Sequence, residues 1–226
     1  MNMEAAKTDF SRFKYPRTFH LPWSEGRSDD DKVLADDSQF IGREVVVTEK
    51  MDGENTTVYP DGYVHARSID GTSKPWQSWL HAHVCSKCSV LPEGWRICGE
   101  NLYAKHSISY DGAWPSIDWL FQVFGIYDAD GACISWNETK EMCWKLKLRH
   151  VPEIYAGMYS RDAVKAAFDI YRAKQSREVE GYVVRVSGIF PAAEFKDNVA
   201  KFVRAHHVQT GEHWTKSWQK TALAGR

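Results

Sequence analysis

The sequence predicts an α+β fold, on three observations. Runs of β-branched and aromatic residues recur from Glu44 onward, two segments carry helical spacing, and Asp-Gly turn pairs at 61–62 and 130–131 punctuate the strand runs. Residues 1–40 read as a polar, irregular lead containing Pro22, Gly26 and the acidic run Asp29 to Asp31, which is expected to be solvated. "EVVVTEK", "NTTVYP" and "YVHARS" then read together as an antiparallel meander. A helix is expected over about Trp76–Val90, followed by strands in "WRICGENLYA" and "WLFQVFGIYD". "NETKEMCWKLKLRH" and "SRDAVKAAFDIYRAK" have helical composition, the second with Ser160 as its N-cap. "EGYVVRVSG" and "NVAKFVRA" close the pattern as strands, and "EHWTKSWQKTALAGR" reads as a short amphipathic helix. No repeat or low-complexity linker divides the chain, so one domain is expected over 1–226.

The 29 basic and 30 acidic residues nearly cancel, which argues against a protein that coats nucleic acid by charge alone and makes any phosphate contact local. No stretch approaches the roughly 18 apolar residues of a membrane span, and the start lacks the apolar core of a signal peptide, so no membrane partner and a cytoplasmic location are expected. Five cysteines are an odd number that does not suggest a disulfide framework, and reduced thiols are the expectation. In "HAHVCSKC" the spacing of His81, His83, Cys85 and Cys88 is compatible with zinc ligation. A lone CxxC without a second pair is a weak signal, and an ordinary helix whose cysteines are small residues of a partly buried face is the reading preferred.

"EKMDGEN" carries the densest chemistry. Lysine is a poor nucleophile while protonated, so a catalytic lysine needs neighbours that lower its pKa, and a strand edge facing a cleft can provide them. Lys50 ends a run of strand formers, and Asp52 shares its face if the extended backbone continues. Gly53 permits a tight turn towards a ligand, although an ordinary hairpin explains Asp52-Gly53 as well.

Lys-x-Asp-Gly in "EKMDGEN" resembles the nucleotide-attachment motif of the covalent nucleotidyltransferases, ATP-dependent ligases and mRNA capping enzymes, and further elements follow in family order. "HARS" resembles the arginine-containing element, "CGEN" the glutamate that binds the ribose, "FQVFGIYD" the aromatic strand that stacks on the purine, "EVEGYVVR" the Glu-Gly metal motif and "AKFVR" the closing basic motif. "YPRTFHLPWSEG" and "KFVRAHHVQTGEHW" are similar to small bacterial and phage members of the RNA ligase family. Gly125 stands where the family commonly has aspartate, and Val203 where many members have a second lysine.

The resemblance implies an ATP-grasp-like nucleotidyltransferase domain of antiparallel sheets with flanking helices. It implies Lys50, Asp52, Glu180 and Lys201 as catalytic residues, and Glu49, Gly53, Arg67, Glu100, Phe124, Lys201 and Arg204 as nucleotide contacts. Glu180 would hold Mg2+ or Mn2+, ATP would be the nucleotide, and RNA with 5′-phosphate and 3′-hydroxyl ends the substrate. Lys201 and the metal are expected to lower the pKa of Lys50, while Asp52 and Glu180 oppose that shift until the metal offsets their charge. The expected activity is ATP-dependent RNA ligation through lysyl-AMP and 5′-adenylylated RNA. Two other readings share the motif, a capping-type guanylyltransferase and a catalytically silent RNA-end-binding module. The short tail after Trp214 argues against the added barrel of capping enzymes. It also implies that no separate C-terminal nucleic-acid-binding domain is present, so that a partner protein would supply extra RNA-binding surface.

Overall fold

The computed structural model describes residues 11–69, 71–205 and 218–225. In chain order its strands are β1 (Phe19–His20), β2 (Glu44–Lys50), β3 (Glu54–Val58), β4 (Val64–Ala66), β5 (Arg96–Asn101), β6 (Phe121–Tyr127), β7 (Ala132–Cys133), β8 (Arg149–His150), β9 (Glu153–Met158), β10 (Gly181–Val186), β11 (Phe190–Pro191) and β12 (Val199–Val203). They form a 5-stranded sheet in the order β1-β12-β10-β2-β9 and a 7-stranded sheet in the order β11-β7-β6-β5-β3-β4, with β8 added beside β6.

The expected meander is corrected here. β2 pairs with β10 and β9 in the first sheet, whereas β3 pairs with β4 and β5 in the second. Met51–Gly53 therefore carries the chain between sheets instead of turning a hairpin. Period-two alternation reveals which face of a strand is buried but not which strand lies beside it. Most pairings are antiparallel, while β1 with β12 and β6 with β8 run parallel.

Alternation sorts the first sheet into two faces. Val45, Val47, Tyr182, Val184 and Ala200 pack with Val164 and Phe168 of the helix Arg161–Ala173. That helix starts at Ser160, whose hydroxyl accepts the Ala163 N–H and satisfies one of the donors left open by the first turn. Val46, Thr48 and Lys50 point the other way, as do Val183, Arg185 and Lys201, towards the second sheet.

On that second sheet, Val58, Ile97, Val123 and Ile126 form one core with Leu80 and Val84 of the helical stretch 75–88 and with Trp136 and Cys143 of the helix Trp136–Lys145. A smaller cluster of Cys98, Tyr127, Cys133, Phe190, Phe195 and Val199 fills the space between the sheets.

Several local expectations change. The helix predicted in "NETKEMCWKLKLRH" stops at Lys145, because the chain reverses at Lys147 (φ 53°) and releases Arg149–His150 to pair with β6. β9 was not anticipated; it is a partly exposed edge strand whose alternation is blurred by Gly157. The lead is not wholly irregular, since β1 joins the first sheet. Of the expected C-terminal helix, residues 212–217 and 226 lie outside the described residues, and 218–225 are non-helical, with Lys220 bridged to Ala104.

The stretch 75–88 is helical as expected, with a π-type turn at His81–Cys85. Cys85 and Cys88 are buried among apolar neighbours there, and burial pushes their thiols up to about 11 and about 12. The Cys85 Sγ lies 3.8 Å from His81 Nδ1, and among the described residues no group of three potential ligands forms. The helix-face reading is the one the structure supports.

Candidate active site

Between the sheets lies a cavity lined by Lys50, Arg67, Glu100, Phe124 and Lys201. Strand registry brings them together. Lys50 lies opposite Gly181, and Lys201 opposite Val183, so both lysines project from the inward face of the first sheet. Glu100, from β5, approaches from the second sheet, where it pairs with Asn55.

Lys50 Nζ donates to Glu180 Oε2 at 2.6 Å, and the two side chains are 23% and 7% exposed. Burial alone would lower the Lys50 pKa, but the Glu180 and Glu100 carboxylates and the Glu180 hydrogen bond outweigh it and hold the pKa above its ordinary value. These are the acids expected to oppose any lowering until a metal offsets their charge, and beside Glu180 the Lys50 side chain is an ammonium. Glu100 is pushed up to about 8, chiefly by burial, against the opposing pull of Lys50. One of its oxygens accepts the Gly53 N–H at 3.0 Å. Lys201 is held below its ordinary value by burial and by Lys50, and its Nζ lies 3.7 Å from Asp31. Asp31 is thus drawn into the cavity wall, contrary to the expectation of a merely solvated acidic run.

Two glycines in the motifs are required by close approach. A Cβ on Gly53 would lie 2.6 Å from the Asn101 carbonyl oxygen, and one on Gly181 would lie 1.9 Å from that of Phe202. Gly181 in this way allows β12 to pack against β10 directly after Glu180. At Gly125 the nearest contact for a Cβ is Cys133 Sγ at 3.6 Å, an ordinary separation.

Three expected site residues are placed differently. β2 ends at Lys50, so Asp52 does not continue its face; the Asp52 carboxylate accepts the Ile108 N–H at 2.6 Å and lies 4.0 Å from His106 Nδ1. It anchors the 104–110 loop and reaches Lys50 only through its charge. Glu49 faces outward by strand alternation. Its fully buried carboxylate takes both Arg177 Nη groups, at 2.5 and 2.7 Å, and the Tyr171 hydroxyl at 2.5 Å, so its side chain is not a nucleotide contact. Arg204 lies beyond β12 and is paired with Glu178, while its Nε donates to the Val179 carbonyl at 2.6 Å. It lines a different groove and is no substitute for the second lysine.

Other cavity residues were missed. Tyr15 meets Phe124 edge-on at 5.1 Å, and Asn55 has a buried Oδ1 without a partner. Arg185 is buried in the cavity wall and donates to the Ile134 carbonyl at 2.8 Å. The family motif carries a signal for Asn55, the last residue of "EKMDGEN". Tyr15 opens the family-like stretch "YPRTFHLPWSEG", but the resemblance gave it no role.

The carboxylates also bear on a metal. Magnesium bound with a nucleotide needs only one or two carboxylates, because phosphate oxygens and water complete its octahedron. Glu180 and Glu100 converge on Lys50, and burial, with the Glu180 charge adding to it, keeps Glu100 from ionising readily, so a divalent cation fits this donor set.

Two sheets enclosing a partly buried lysine, facing glutamates and an aromatic wall define a nucleotidyltransferase domain. The RNA ligase family model matches residues 43–203, and the chain belongs to that family. Among solved structures, an archaeal ATP-dependent RNA ligase is 18% identical with a TM-score of 0.53, covering 84% of this chain and 48% of its own. A putative ATP-dependent DNA ligase from Aquifex aeolicus gives 18% and 0.53, covering 87% of this chain and 51% of its own. Naegleria gruberi RNA ligase with PPi gives 17% and 0.54, covering 90% and 62%. The chain spans about half the length of the first two, and at such identities the likeness establishes the fold. No curated protein sequence matches it.

Proposed function

We propose that the chain is an ATP-dependent RNA ligase that seals 5′-phosphate and 3′-hydroxyl ends through lysyl-AMP and 5′-adenylylated RNA. The observation that carries this reading is the convergence of Lys50, Glu100 and Lys201 on one inter-sheet cavity whose wall includes Phe124, with Glu180 bound to the Lys50 Nζ. A structure of a Naegleria gruberi RNA ligase mutant with ATP and Mn, at a TM-score of 0.51, supports ATP and a divalent metal as cofactors.

In this reading the purine packs against Phe124, and Glu100 receives the ribose hydroxyls. Lys201 and Arg67 face the phosphates and stabilise charge that grows on their oxygens in the transition state. Glu180, with Glu100 nearby, would hold magnesium, which neutralises triphosphate charge when bound. Lys50 Nζ must lose its proton and its Glu180 partner before attacking the α-phosphorus; the N–P bond then forms as the bond to pyrophosphate breaks. AMP passes to the RNA 5′-phosphate, and the 3′-hydroxyl displaces it. The work of the protein is mainly positioning and electrostatics. Asp52 and Glu49 act here by holding the two sides of Lys50 in place.

We take the chain to work as a single adenylyltransferase domain in the cytoplasm, with a partner protein adding RNA-binding surface. No helix among the described residues is long and apolar enough to cross a membrane. Incubation with α-labelled ATP or GTP, followed by denaturing electrophoresis, tests the reading. Labelling from ATP that Lys50→Ala abolishes is expected; labelling from GTP alone points to a capping-type enzyme, and no labelling with any divalent metal to a silent module.

A further inference from the structure

The lead is registered onto the strand that carries Lys201. His20 lies opposite Lys201 in the β1–β12 pair, and the Leu21 N–H donates to the Lys201 carbonyl at 2.7 Å. This pairing fixes where the preceding residues run, and Tyr15, Arg17 and Thr18 line the same cavity as Lys50 and Arg67. Arg17 is exposed, and its guanidinium donates to the Asp30 backbone carbonyl at 3.0 Å, a neutral acceptor that leaves its charge uncancelled.

Arg17 and Arg67 are near neighbours. After burial, the Arg17 charge is the next cause holding Arg67 below its ordinary value. The Arg67 Nε is buried without a hydrogen-bond partner. Asp31, the acid on this side of the cavity, lies against Lys201 and His20. Two guanidiniums brought together with a donor still unused are suited to a multiply charged anion. Among the described residues the end of β12 offers no alternative cation: Val203 is buried and Arg204 is engaged by Glu178.

We propose that Arg17, delivered by the lead, contacts the terminal phosphates of the bound nucleoside triphosphate and supplies the second cation beside Lys201. The proposal rests on the adenylyl-transfer reading of the cavity and extends it to a residue to which the resemblance gave no role. Tyr15, on the same segment, closes the base end against Phe124, so one short stretch of chain reaches both ends of the nucleotide.

Calorimetric titration of the full chain with AMP and with the α,β-methylene analogue of ATP, which cannot transfer AMP, tests this. Arg17→Ala should weaken the analogue about tenfold or more, the loss of a charge-assisted hydrogen bond, and leave AMP affinity unchanged. Arg17→Lys should fall between Arg17→Ala and wild type, since it keeps the charge and loses the planar fork. Because Arg17 is exposed, the thermal midpoint should not move. Unchanged analogue affinity, or equal loss for AMP and analogue, overturns the assignment while the adenylyl-transfer reading stands. A wild-type chain that binds neither compound overturns both.

Discussion

Lys50 is stored as an ammonium against Glu180, so its chemistry depends on removing that partnership. Lys50→Ala should form no AMP adduct, and Lys50→Arg should also fail, because a guanidinium stays protonated and cannot attack. The wild-type adduct should resist base and break in acid, as a phosphoramidate does, and AMP mapped to another residue would refute the assignment. Glu180→Gln relieves the charge on Lys50 but leaves a weaker metal ligand, and reduced labelling is expected. Labelling at the wild-type level would show that Glu180 acts only as the resting partner of the lysine. Phe124→Leu should mainly weaken ATP binding in a titration, whereas a collapse of the thermal midpoint would make the ring a core residue instead.

At the scale of elements, both sides of Lys50 are braced from outside the cavity. Glu49 ties β2 to Tyr171 and Arg177, while Arg177 also lies over the ring of Tyr110, whose hydroxyl accepts the Asp52 N–H. Removing one partner from a buried pair strands the other, so Arg177→Ala should cost about 3–5 kcal/mol in denaturant unfolding. A cost near zero would mean that the pair does not brace the strand. On β12, Lys201→Ala should nearly abolish adenylylation while Arg204→Ala has a milder effect, because Arg204 is bound to Glu178 in another groove. Equal losses in a labelling assay would contradict that placement. Strands rich in Val, such as β2 and β10, were legible because β-branched runs mark them. β9 was not, since an edge strand interrupted by glycine loses its alternation. The outward turn of Glu49 follows from period two, but its Arg177 partner comes from 128 positions away, a contact no local pattern encodes.

Across the whole molecule the cavity exists because the chain changes sheets immediately after Lys50. Composition and motif order indicated the fold class and the Lys50, Arg67, Glu100, Phe124 and Lys201 part of the lining, but strand partnership and the course of the lead depend on long-range pairing. The lead carries a stability signature through His20, which is 1% exposed and faces Asp31, Lys201 and Ser24. Burial, then Lys201, lowers its pKa from 6.5 to about 4. The unfolded chain therefore binds the proton first, and the stabilisation from a neutral His20 is complete above pH 6.5 and lost as the pH falls towards 4. Urea unfolding of wild type should steepen its pH dependence through that window, and His20→Gln should flatten it. An identical slope in the two proteins would remove His20 as the cause.

The buried cysteines give the molecule an internal clock. All five thiols are free and buried, and burial pushes Cys88, Cys98 and Cys143 up to about 12, so a thiol-specific reagent finds little thiolate in the closed state. Modification then counts excursions in which the interior opens, region by region. Cys98 and Cys133 lie in the cluster between the sheets, and Cys85, Cys88 and Cys143 in the core behind the second sheet. A ligand that clamps the two sheets together would slow the first pair and leave the second group at its original pace.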